Sequence, residues 1–287
     1  MGRQRPRASP CLVLMILIPL TGGTAVAENI DPNNDGSKYA WSENLGWLNA
    51  RPGGSGGPGV QVSDSCLTGW MWSESAGWIN LSCANDSSCG TSSYGVTNDG
   101  CGTLLGKAWS ENAGWIDFAP STCGGELTCG VRISPTTGIF TGRAWSENAG
   151  WMTFSSTSPT PHQVMTSWRR AAPAGSPSGL TAAQAGGNNV LLSWTALSGA
   201  TSYDVVQGRL STLMSSNGNF QSATLACVAN DTPGASITIG GTPSVGDGYW
   251  FLVRGGNCAG AGTYDSGAAS QVGSRNAEIV ASGNDCP

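Results

Sequence analysis

Ala144-Trp145-Ser146-Glu147-Asn148-Ala149-Gly150-Trp151 decides how this chain is read, because the same pattern occurs three more times. The other copies run from Ala40 to Trp47, from Met71 to Trp78 and from Ala108 to Trp115. Their first tryptophans, Trp41, Trp72, Trp109 and Trp145, lie 31, 37 and 36 residues apart. Self-similarity at such a period marks a repeat architecture. Each copy reads as a β-hairpin. Gly142 to Ser146 is one strand, Glu147 to Gly150 the turn and Trp151 to Phe154 the return. Asn suits a tight turn, and Gly150 supplies the positive φ such loops need near their end. Upstream, Gly130-Val-Arg-Ile133 and Gly138 to Gly142 flank a Ser-Pro-Thr-Thr turn, so one unit is expected to be a three-stranded meander. A lone meander cannot bury its apolar face, so neighbouring units must pack together.

Loop length decides where the tryptophans point. A four-residue loop pairs Ser110 with Trp115 and sends the two rings to opposite faces. A three-residue loop with a Gly bulge pairs Glu111 with Trp115 and puts both on one side. The sequence leaves both open.

Composition agrees with an all-β chain. It has 43 Gly in 287 residues and only 11% charged residues. No apolar stripe of helical period is sustained. Residues 1–27 read as a signal peptide: Arg3, Arg5 and Arg7, an apolar run from Leu12 to Leu20, then Ala25-Val26-Ala27 for cleavage. Removing them strips three arginines and no acid, so the formal charge of −5 becomes −8. With no cationic patch, nucleic acid and anionic membranes are disfavoured partners. No second long apolar segment appears, so no transmembrane anchor is expected after cleavage, and the protein is expected to be secreted or on the outer surface, the periplasm being a further option.

Nine cysteines follow residue 27, in a compartment where disulfides form. Cys83 and Cys89, then Cys123 and Cys129, each enclose five residues at equivalent junctions, which argues for two local loops. Cys66 and Cys101 precede the second and third repeats and could join those units. Zinc is disfavoured, because no CxxC occurs and His162 is the only histidine, so no metal or other cofactor is expected. Asp31-Pro-Asn33-Asn-Asp35-Gly36 opens like a calcium loop, but Ser42 stands where the bidentate Glu is needed, and a plain turn is the expectation.

The repeat resembles one found in bacterial surface proteins. After residue 154, Ser, Thr, Pro and Ala dominate, and residues 155–172 read as an extended linker containing Trp168. Residues 173–287 then show short strands at sandwich spacing: Val190 to Trp194, Tyr203 to Gly208, Ser236 to Ile239 and Gly248 to Arg254. These motifs resemble a fibronectin type III domain, with Trp194 at the core Trp of the second strand, Tyr203 at the inward Tyr of the third and Tyr249–Arg254 on the long sixth strand. Asn257-Cys258-Ala-Gly260 and the closing Cys286-Pro287 resemble a bacterial secreted variant. Placed on that fold, Cys227 and Cys258 lie toward one end of the sandwich and pair, with Cys286 left alone or swapping in. The fold expected is therefore tandem β-hairpin/meander repeats (28–154) followed by a fibronectin type III-like β-sandwich.

Catalytic signals are missing. His162 falls in the linker, and no nucleophile elbow, phosphate-binding loop or HExxH segment occurs. Glu43, Glu74, Glu111 and Glu147 hold one repeat position, and an active site is built once, so they are expected to accept backbone N–H bonds in their own turns. The eight tryptophans Trp41, Trp47, Trp72, Trp78, Trp109, Trp115, Trp145 and Trp151 are expected to fill the interior of each unit; the alternative is a Trp-lined ridge that binds polysaccharide. Function is accordingly expected to be that of a non-enzymatic structural or adhesive protein contacting surface proteins, or else that of a carbohydrate-binding protein.

Overall fold

The structure, a computed structural model, describes residues 29–53, 59–121 and 129–287. The proposed signal peptide and Cys123 lie outside the described residues. The chain divides into two units, one ending at Arg170 and one beginning at Ala171.

The first unit is a closed barrel of eight antiparallel strands. Each repeat is one hairpin: β1 (Tyr39–Ser42) with β2 (Gly46–Asn49), β3 (Trp70–Ser73) with β4 (Gly77–Asn80), β5 (Leu104–Ser110) with β6 (Gly114–Asp117), and β7 (Phe140–Ser146) with β8 (Gly150–Thr153). Neighbouring hairpins pair through Asn49↔Trp72, Asn80↔Trp109 and Asp117↔Trp145, and Thr153↔Trp41 closes the circle. Every junction shifts the register by two residues, giving a total stagger of about 8 for eight strands, the combination that lets side chains fill a small barrel.

The strand period of two then sorts each repeat. Ala40, Met71, Ala108 and Ala144 point inward, as do Ser42, Ser73, Ser110 and Ser146, and all are buried. Leu48, Ile79, Ile116 and Met152 on the return strands, with Met71, fill the space the alanines and serines leave. The tryptophans between them point outward. Three residues separate Ser110 from its partner Gly114, so Trp109 pairs with Trp115, and the other copies do the same. Neither register weighed from the sequence is realised. The glycine that ends each loop takes the left-handed backbone, from φ 68° at Gly114 to 71° at Gly46 and Gly150.

Below each hairpin a valine locks the next one in place. Val60, Val96 and Val131 are buried, and their N–H groups donate to the carbonyls of Ala50, Leu81 and Phe118, each three residues after a second tryptophan. In the third and fourth units these valines lie in flanking strands, Val96↔Gly106 and Val131↔Gly142. The first unit takes its valine from beyond the fourth repeat. Val164 donates to Phe154, and its main chain bridges to Lys38, the position equivalent to Gly142. Residues 155–170 are therefore not the extended linker expected from their composition. Thr166 bridges to Ile30 and Met165 to Ile139, while Trp168 is buried in the barrel core with its Nε1 donating to Asp64 at 2.8 Å. Composition misled here because Ser and Pro flank a short apolar stretch, Val164-Met165, that pairs with residues more than a hundred positions earlier.

The second unit is also antiparallel β. Strands β9 (Thr181–Gln184), β10 (Asn189–Ser193) and β13 (Ser236–Gly240) form one sheet, with β10 central. Strands β11 (Ser202–Arg209), β12 (Thr224–Thr232), β14 (Tyr249–Asn257) and β15 (Gly260–Ala261) form the other, in the order β12-β11-β14-β15. Leu192 and Trp194 meet Tyr203, Val205 and Val253 in a core shared by both sheets. Opposite faces of β11 and β14 are covered as well. There Val206 packs with Tyr264, Cys286 and Ile279 of helix α1 (Arg275–Ala281). Buried Arg254 holds this layer. It donates to Asp204 at 2.8 Å and to the carbonyl of Cys286 at 2.7 Å.

The disulfides follow this packing. Cys83 joins Cys89, as expected. Cys66, Cys101 and Cys129 are disulfide-bonded too; the expected partner of Cys129 is Cys123. The pairing of Cys227 with Cys258 is overturned, because Cys227 joins Cys286 and Cys258 is bonded elsewhere. The reason is the pleat. Cys227 lies opposite Val206, so it faces the layer that holds Cys286, whereas Cys258 sits in the turn beyond β14. Non-reducing peptide mapping should recover a Cys227–Cys286 cross-link, and Cys286→Ser should lower unfolding stability by about 2–4 kcal/mol. A Cys227–Cys258 peptide would refute the assignment.

Candidate functional site

The repeat can be divided into residues the fold consumes and residues it leaves over. Serine is consumed. Ser73 Oγ donates to Leu45 O (2.9 Å), Ser110 to Ala76 O (3.1 Å), Ser146 to Ala113 O (2.6 Å) and Ser42 to Ala149 O (3.3 Å), a ring in which each hairpin latches onto its neighbour's turn. The same hydroxyls accept N–H bonds from their own turns, at Ala76, Ala113 and Ala149. Asn44 and Asn112 reinforce the latch, donating from Nδ2 to Ala149 O and Ala76 O. This role of the serines is additional to the strand position expected from the sequence. Its signal was present: a polar residue repeated at an inward-facing position.

Glutamate is not consumed. Glu43, Glu74, Glu111 and Glu147 are all exposed at the hairpin tips. The expected bonds from backbone N–H groups to their carboxylates are not made, because the serine hydroxyls, closer to the turn axis, occupy those donors.

The tryptophans do not fill the interior as expected. Once small Ala and Ser line the inward face, no space remains for indoles, and alternation places them outside. Trp41, Trp47, Trp78 and Trp115 are 37–45% exposed, and the remaining four are half-buried. Within each hairpin the two rings meet at an angle, with centroids 4.7–4.9 Å apart and planes inclined by 59–67°. Such pairs stabilise a hairpin by about 0.5–1.5 kcal/mol beyond burial. Further aromatic rings flank them: Tyr39 and His162 against Trp47, Trp70 against Trp78, and Tyr94 against Trp115. Burial, and then the charge of Asp86, raise the Tyr94 phenol above its ordinary pKa.

Two grooves open between consecutive hairpins. One, of about 820 Å³, is lined by Tyr39, Trp41, Trp47, Trp72, Glu74 and His162 among others. The second, of about 730 Å³, is bounded by Trp109, Trp115, Trp145 and Trp151 together with Lys107 and Glu147. Each thus brings together indoles from two repeats and one repeat glutamate.

The remaining candidates resolve simply. Asp31 is buried, its Oδ1 accepting from the N–H groups of Asp35 and Gly36 and from Ser37 Oγ, with Arg51 at 3.6 Å from its other oxygen. That is turn chemistry, and among the described residues no His, Cys, Asp and Glu side chains cluster as metal ligands would. Among those residues, too, no helix is long and apolar enough to cross a membrane. The barrel strands, of 4 to 7 residues, fall short of the roughly 9–11 a membrane-spanning strand needs. Compared with known protein families and with curated proteins, the chain matches none significantly.

Proposed function

We propose that the barrel is a glycan-binding module that carries out no catalysis, in a protein exported to the cell surface, the medium or the periplasm. The 173–287 segment is in this reading a fibronectin type III-like sandwich acting as spacer or adhesive module; its two sheets, of three and four strands around Trp194 and Tyr203, support that. Disulfides in both units favour an oxidising compartment.

One observation carries the glycan reading: indoles of all four repeats stand on the outside of the barrel, in grooves of ligand size, although the interior is complete without them. Exposed aromatic surface on this scale marks an interaction site. Adding soluble polysaccharides should shift and quench tryptophan emission. Trp47→Ala and Trp115→Ala should each weaken binding about tenfold. If no polysaccharide alters the emission, glycan binding is excluded. The angled pairing within each hairpin would then stand as a purely structural staple, and the protein as a surface scaffold.

A further inference from the structure

We infer that the ligand of these grooves is a polysaccharide bearing protonated amines, an amino-sugar polymer. This rests on the glycan reading above and narrows it. Three features of the site point the same way.

The first is ring geometry. A neutral pyranose stacks its flat C–H face on one aromatic plane. Rings inclined by 59–67° cannot both lie parallel to such a face. Inclined rings instead form a corner, and across the groove a third indole from the next repeat, Trp72 or Trp145, adds another wall. A compact cation in such a corner meets several π surfaces at once, each attracting it.

The second is charge. Every repeat carries an exposed glutamate at its hairpin tip, and two of them, Glu74 and Glu147, line the grooves. The groove with Tyr39 is lined by Glu74 and by neither Lys nor Arg, and Lys38 Nζ, 5.6 Å from the Tyr39 ring centroid, shows a cation already resting on one of its aromatic rings. In the other, Lys107 lies 3.6 Å from Asp117, which leaves Glu147 uncompensated. Each groove therefore sets a repeat carboxylate beside its indoles. An acidic glycan would be repelled, and the hydroxyls of a neutral one could offer the carboxylates only hydrogen bonds from uncharged donors, whereas an ammonium group pairs with their charge and with the indole faces.

The third is repetition. Glutamate and paired indoles recur around one barrel, matching a polymer that offers a cation on every sugar. Several weak contacts on one chain then add through effective concentration.

The test compares glucosamine oligosaccharides with the same oligosaccharides fully N-acetylated, at a pH where the free amines are protonated. Affinity of the full mature chain is read by calorimetry and tryptophan emission, at low and moderate salt. The free-amine form should bind about tenfold more tightly or better, with a preference that shrinks as salt rises. Replacing all four residues (Glu43→Gln, Glu74→Gln, Glu111→Gln, Glu147→Gln) should remove the preference; circular dichroism checks that the fold is kept. Equal, salt-insensitive binding of both forms would overturn this inference and leave the glycan reading intact. A preference that survives in the fourfold variant would overturn it too. Binding of neither form, nor of any other polysaccharide, would remove both.

Discussion

Gly142→Ala is expected to destabilise the barrel by about 2–5 kcal/mol, read as a lower denaturation midpoint at unchanged slope. Gly142 has φ 82°, and a Cβ placed there would lie 2.0 Å from the carbonyl oxygen of Gly130, in the flanking strand. A left-handed backbone costs an L-residue about 1–2 kcal/mol, and forcing two main chains apart adds about 1–3 kcal/mol. Gly106 is its equivalent, with φ 86° and Gly95 O at 2.2 Å from the added Cβ, and should respond alike. Gly46 separates the two causes. Its φ is 71°, but nothing lies within 4 Å of an added Cβ, so Gly46→Ala should cost only the left-handed penalty of about 1–2 kcal/mol. Equal losses at Gly142 and Gly46 would mean that close approach of the flanking strand is not what holds these bends.

Ending the chain at Phe154, after the last repeat, should abolish folding of the first unit, whereas ending it at Arg170 should preserve it. The shorter chain keeps all four copies of the motif. It lacks Val164, whose main chain supplies the first hairpin with the contact that Val60, Val96 and Val131 give the others, and it lacks buried Trp168. Trp168→Ala alone, in the full chain, should cost about 3–5 kcal/mol, the range for emptying an aromatic site in a core. Far-UV circular dichroism and resistance to proteolysis distinguish the two truncations. A stable, protease-resistant 28–154 fragment would show that the repeats close their barrel without help.

Both experiments bear on the functional proposal, because the grooves exist only between hairpins held at a fixed stagger. Each groove draws its walls from two repeats, so loosening one junction moves the next repeat's indole, Trp72 or Trp145, away from the inclined pair. Weakened ligand binding is expected at the groove nearest the altered hairpin before the unit as a whole unfolds.

Local features of the chain were legible from residue order alone. Alternation and glycine spacing define the hairpins, because a strand has period two and the loop glycine must take positive φ. The short loop from Cys83 to Cys89 was legible for a similar reason: its ends are close in sequence and recur with the repeat. What residue order could not convey was which face of each hairpin turned inward. Ala and Ser on one side and Trp on the other is an ambiguous pattern. Hydrophobicity argues for buried indoles, and only closure into a narrow barrel, whose interior has room for small residues alternating with Leu, Ile and Met, turns them out. The partner of Cys227 was decided the same way, by a pleat that directs it to the layer beneath helix α1. Val164 and Trp168 were hidden for a related reason. Their partners lie at the other end of the repeat array, and joining the ends of a ring is a property of its curvature, which no single copy of the motif encodes.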